Sequence, residues 1–123
     1  MAGNMLEELQ NACAGLEYPS ESDAPFDLIH WPAMKNDSAQ NQVIAHAGIN
    51  RKVTEVPVDQ FFADLNDSED APRFIALRRS LEANLKGLKI FRAGDGEVRV
   101  DIYLIGKTPS GDWAGLHTAS VET

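Results

Sequence analysis

The stretch "LKIFRAGDGEVRVDIYLIGKTPSGDWAGLHTASVE", residues 88–122, decides the fold. In its middle part, Val98, Val100, Ile102 and Leu104 fall at every second position, as on one face of a strand. The turn-forming sequences "GDG" and "TPSGD" divide the stretch into three strands. The C-terminal third therefore predicts a three-stranded antiparallel meander.

Helices and two further strands are predicted before the meander. Helical spacing of apolar residues predicts helices at 4–15, within 41–48, at 58–65 and at 71–86, the last with Asp70 as N-cap and Gly87 at its end. "FDLIHW" and "KVTEVPV" predict strands at 26–31 and 52–58. This order predicts a single α/β domain spanning 1–123. Its predicted architecture is a three-layer α/β/α (or two-layer) sandwich around one mixed, largely antiparallel sheet.

Charge and composition limit the function. Acidic residues outnumber basic ones 19 to 11, which gives a net charge of −8. Nucleic acid would be repelled and a basic partner attracted, although solubility by itself also accounts for this charge. Cys13 is the single cysteine, which excludes an internal disulfide and a cysteine metal cluster. The sequence has no leader-like start and no apolar run of membrane-spanning length, which predicts a cytoplasmic protein with no membrane contact.

Motifs for catalysis or for a cofactor are weak. "GKT" at 106–108 resembles the end of a phosphate loop, but Asp101 stands where that loop needs glycine and a turn follows the threonine. The histidines share no metal-ligand spacing. Glu21 and Asp23 in "SESD" could form an acid–base pair of a small hydrolase, but residue types favour a solvated turn. No cofactor and no enzymatic activity are predicted.

Several motifs together resemble those of the nuclease A inhibitor family. They are "LEYPSESDAPFDLIHW", "VDQFFADL", the hairpin "VDIYLIGKTPSGDWAG" and the ending "VET". The resemblance implies a small acidic protein with an α/β/α sandwich fold. It further implies a protein inhibitor that binds the active site of a non-specific Mg²⁺-dependent endonuclease and blocks cleavage of DNA and RNA.

The resemblance also assigns roles to residues. Glu21 matches the family's glutamate that reaches the nuclease metal, and the α-carboxylate of Thr123 matches a second group that points into the same site. Both would ligate the nuclease Mg²⁺ in trans, and carboxylate oxygens are suitable ligands for that ion. Ser22, Asp23, Glu122 and Trp113 complete the predicted partner-binding set.

Two departures leave the partner open. The segment 64–72 is shorter than in the family, and Trp113 stands where the family can have an aliphatic residue. The alternative function is an acidic protein-binding module of the same fold with another basic partner. The free protein is expected to be a monomer.

Overall fold

The computed structural model describes residues 2–18, 24–31, 43, 52–66, 68–94, 99–109 and 111–121. Its helices are α1 (Ala2–Cys13), α2 (Val58–Asp64) and α3 (Ala71–Asn84). Its strands are β1 (Glu17–Tyr18), β2 (Ala24–Pro25), β3 (Asp27–Trp31), β4 (Val53–Val56), β5 (Lys86–Ala93), β6 (Arg99–Lys107) and β7 (Trp113–Val121). The predicted helix within 41–48 lies outside the described residues except for Val43, which is helical.

Five of the strands form one sheet in the order β3-β7-β6-β5-β4. Every neighbouring pair in it is antiparallel. β5, β6 and β7 pair in chain order, so the predicted C-terminal meander is confirmed. β1 and β2 form a separate two-stranded ribbon that contacts β7.

The predicted sandwich class is wrong, because the described structure is mostly β. The prediction of a mixed sheet rested on the order of helices and strands along the chain. Instead, α2 and α3 connect β4 to β5, and these two strands are antiparallel neighbours. A parallel pair needs a crossover, but a helix in the connection does not make the pair parallel.

The sheet carries apolar residues on both faces. One face packs against the three helices, and its buried cluster includes Leu9, Phe61, Phe74, Leu77, Ile102, Leu104 and Leu116. A second buried cluster lies on the other face and contains Trp31, Val43, Phe91, Ala93, Tyr103, Ile105 and Trp113. Burial on both faces explains why β6 is almost continuously apolar from Ile102 to Ile105.

Two details of α3 bear on the sequence prediction. Asp70 precedes the helix as predicted, with Pro72 in the first turn, although the Asp70 side chain makes no capping hydrogen bond. The helix ends at Asn84, and Leu85 is already extended. Gly87, predicted to end the helix, instead lies inside β5 with φ of 64°. None of the helices in the described part of the chain is both long and apolar enough to cross a bilayer.

Candidate functional site at the C-terminal end of β7

The predicted site residues fall mostly beyond the described residues. Glu21, Ser22 and Asp23 lie in the segment 19–23, and Glu122 and Thr123 follow Val121, so all five are outside the described part of the chain. Their predicted roles therefore stay predictions. The residues on either side of them are described, and these fix where both segments leave the fold.

The ribbon of β1 and β2 closes the base of segment 19–23. Tyr18 pairs with Ala24, so five residues connect the two strands. The Tyr18 ring stacks on Phe61 with centroids 5.6 Å apart and an interplanar angle of 14°. Since Phe61 belongs to the core, one side of this base is held by buried aromatic packing.

The other side of the base is held by β7. The Thr118 hydroxyl donates a hydrogen bond to the Ala24 carbonyl oxygen at 3.3 Å. Next to it in the main sheet, Asp27 pairs with His117. Ala24 follows segment 19–23 directly, and Thr118 lies three residues before the end of β7. The described structure thus brings the loop base and the last part of β7 together.

A charged cluster lies at the same end of the sheet, on the face opposite the helices. His117 Nε2 is 2.8 Å from Asp101 Oδ1, and His117 Nδ1 is 3.8 Å from Asp27 Oδ2. Arg99 reaches the same Asp101 oxygen at 3.4 Å from both Nε and Nη2. The Tyr103 ring packs against the imidazole with centroids 5.0 Å apart.

Burial within this cluster is uneven. The side chains of Asp101 and His117 are 13% and 20% exposed, whereas those of Asp27 and Arg99 are 68% and 63% exposed. The inner pair is therefore shielded, and the outer pair presents opposite charges to solvent. No group of His, Cys, Asp or Glu side chains in the described ranges has an arrangement that could hold a metal ion. The cluster suits ion pairing and the fixing of strands more than metal binding.

Sequence reasoning missed this cluster. Asp27, Asp101 and His117 are far apart in the sequence, and their spacing gives no sign that they meet. They become neighbours only through the register that pairs Asp27 with His117 and His117 with Tyr103. Without the register, the alternation "RVDIY" around Asp101 was the one available indication of a polar position on that face.

Trp113 lies apart from this end of the sheet. It begins β7, eight residues before Val121, which corresponds to about 26 Å of extended strand. It is 6% exposed, and the Lys107 ammonium lies 5.3 Å from the centroid of its ring. The structure therefore does not bring Trp113 together with the residues that flank Glu21 and Thr123. Its predicted role in partner binding stays a prediction.

Comparison with known families identifies the chain. A family model described as "Nuclease A inhibitor-like protein" matches residues 3–123. The chain belongs to the nuclease A inhibitor-like family. The resemblance seen in the sequence motifs is thereby confirmed over nearly the whole chain. Membership indicates a nuclease inhibitor role rather than an enzymatic one, with a nuclease as the protein partner. A comparison with curated protein sequences finds no match.

Proposed function

We propose that this protein binds the active site of a non-specific Mg²⁺-dependent endonuclease and blocks cleavage of DNA and RNA. Glu21 and the α-carboxylate of Thr123 are the groups that occupy the metal and phosphate site. The metal belongs to the nuclease, and its ligand shell accepts hard oxygen donors such as carboxylates. A carboxylate in the place of the scissile phosphate fills the site and offers no bond to cleave.

The observation that carries the proposal is the hydrogen bond between Thr118 and Ala24. It ties Ala24, which follows segment 19–23 directly, to Thr118, which lies three residues before the end of β7. Chain lengths agree with this placement. Asp27 and His117 pair across β3 and β7. Glu21 precedes Asp27 by six residues, and Thr123 follows His117 by six residues. Two carboxylates at equal chain lengths from one antiparallel pair can approach a single metal site.

Charge supports the same proposal. The net charge of −8 favours encounter with a cleft that is basic because it receives phosphate. Electrostatic steering of this kind raises association rates to the order of 10⁸–10⁹ M⁻¹s⁻¹ at low salt. The exposed carboxylate of Asp27 adds to the negative field beside the loop base.

The test is a titration of the protein into a non-specific Mg²⁺-dependent endonuclease, with DNA cleavage as the readout. We expect stoichiometric inhibition by the wild type. Glu21→Gln keeps the size of the side chain and removes its charge, and it should weaken binding by about 2–5 kcal/mol if this carboxylate becomes a buried charge partner. Glu69→Gln, in the acidic run before α3, is the matched control and should leave inhibition unchanged.

The terminal carboxylate needs a separate variant. One glycine added after Thr123 keeps every side chain and moves the carboxylate by about 3.6 Å. We expect this extension to weaken inhibition, whereas one glycine added before Met1 should not. Full inhibition by both Glu21→Gln and the C-terminal extension would refute the assignment of the two carboxylates. No inhibition of several such endonucleases by the wild type would favour a different basic partner.

A further inference from the structure

We propose that a groove at the other end of the sheet binds small anions that carry a chain of phosphate groups. We call it the lysine groove. Its lining consists of Lys86, Lys89 and Lys107 together with Gly87, Thr108, Pro109, Gly111 and Trp113. Its volume is about 490 Å³, within the range of small-molecule sites. This site is separate from the proposed inhibitory carboxylates and does not depend on their function.

A β-bulge places two of the lysines on one face. Residues three apart on a regular strand lie on opposite faces. Here Lys86 pairs with Lys107 and Lys89 pairs with Ile105, so the register shifts between the two lysines. Residues 107 and 105 lie on one face of β6. Their pairing partners Lys86 and Lys89 therefore lie on that same face of the sheet. Bulges commonly redirect side chains in this way beside functional sites.

Two glycines make this bulge possible. Gly87 lies within it at φ of 64°, a conformation that side-chain-bearing residues rarely adopt. Gly106 lies across from it, and a Cβ atom at that position would be 2.9 Å from both the Leu85 Cβ and the Lys86 carbonyl oxygen. The sequence thus reserves glycine on both strands at the point where the lysines converge. This requirement explains why Gly87 does not act as a helix end.

Among the residues that the structure describes, the three lysines have no acidic partner. No carboxylate in the described ranges lies within 4.0 Å of Lys86, Lys89 or Lys107. Lys86 and Lys107 are directly opposite each other, and like charges in that arrangement destabilise a sheet. The chain has only 11 basic residues against 19 acidic ones, yet three of them converge here. A bound anion would remove this repulsion.

The surroundings favour an anion with several charges. The Lys107 ammonium lies over the Trp113 ring, and this contact holds its charge beside the groove. Asp112 is in the adjacent turn, but its Oδ2 atom lies 3.1 Å from Nε2 of His30. His30 pairs with Ala114, and this pair lies on the helix-covered side of the sheet. Three ammonium groups present three compact positive charges. A short phosphate chain presents negative charges at successive positions and can therefore contact more than one of them.

The test is an NMR titration of the ¹⁵N-labelled full chain in metal-free, low-salt buffer. The probes are sodium tripolyphosphate and ATP, with a glutamate oligopeptide as a third arm. We expect saturable shifts of the Gly87 and Gly111 amides and of the Trp113 indole N–H with both phosphate probes. Lys89→Gln and Lys107→Gln should each weaken binding about tenfold, the loss of one charge-assisted contact. Lys52→Gln, near the other end of the sheet, is the matched control and should bind like the wild type.

The outcomes separate the alternatives. Equal affinity for both phosphate probes assigns recognition to the phosphate chain, and tighter binding of ATP assigns a part to its nucleoside. Saturation by the glutamate peptide alone would overturn the proposal in favour of an acidic segment. It is also overturned by the absence of saturable shifts at millimolar probe, or by an equal loss in Lys52→Gln. The three lysines are exposed, so the variant spectra will show directly that the fold is retained.

Discussion

Removal of the Thr118 hydroxyl is the sharpest test of how the fold positions the proposed inhibitory loop. Thr118 is 1% exposed and bonds the Ala24 carbonyl at 3.3 Å. Thr118→Val keeps nearly the same shape, so the loss is one hydrogen bond, worth about 1 kcal/mol net. For a domain of this size, that loss corresponds to a decrease in Tm of about 4 °C.

The same loss should appear in inhibition. A less fixed base raises the free energy of placing Glu21 at the nuclease, and a cost of about 1 kcal/mol raises the inhibition constant about fivefold. Thermal unfolding and the nuclease titration, run on the same preparations, measure the two effects. Thr54→Val on the edge strand β4 is the matched control, since Thr54 is exposed, and both quantities should stay at wild-type values. A Thr118→Val protein with lower Tm but unchanged inhibition would refute the positioning argument.

Three further predictions concern encounter, packing and the thiol. The association rate with the nuclease should fall steeply between about 10 and 150 mM salt, measured by stopped flow, because a charge of −8 is screened; a rate independent of salt contradicts steering. Gly115→Ala should destabilise the protein by about 3 kcal/mol or more in urea unfolding, since its Cβ would lie 1.8 Å from the Leu104 carbonyl oxygen; a wild-type midpoint contradicts this contact. Burial raises the pKa of the Cys13 thiol, so alkylation should be slow in the native state and fast in urea. The pKa of this thiol is higher in the folded than in the unfolded state, so the stability contributed by the neutral thiol is present below the unfolded pKa and is lost as pH rises through the folded pKa. Cys13→Ala should therefore flatten the decline of the unfolding free energy at alkaline pH, measured by urea unfolding. An unchanged decline would contradict the role of the thiol.

The sequence predicted elements better than their arrangement. Alternation around Ile102 and the turn sequences were enough for the meander, because both signals are local. Strand direction is not local. The order of helices and strands suggested a mixed sheet, but the connection from β4 through α2 and α3 returns to an antiparallel neighbour. Gly87 was misread for a similar reason, since a glycine after a helix and a glycine in a bulge have the same sequence signature.

The candidate site shows the same limit. The motif around Glu21 and the ending at Thr123 indicated the family, which the family model confirms. The ties at the loop base could not be read from the chain, because Thr118 and Ala24 are separated by 94 residues. The cluster of Asp27, Asp101 and His117 likewise depends on three strands in one register. Local patterns reveal which side chains are available, and the register decides which of them meet.

The two proposed sites give the molecule a negatively charged end and a positively charged end along β7. The segments that carry Glu21, Asp23 and Glu122 join the fold near the end of this strand, whereas Lys107 and its neighbours lie near its start, about 26 Å away. A basic nuclease cleft therefore attracts one end of the molecule and repels the other. Orientation of this kind occurs before contact and suppresses unproductive encounters. The lysines would then have a second consequence beyond phosphate binding, because they help to present the carboxylate end to the nuclease first.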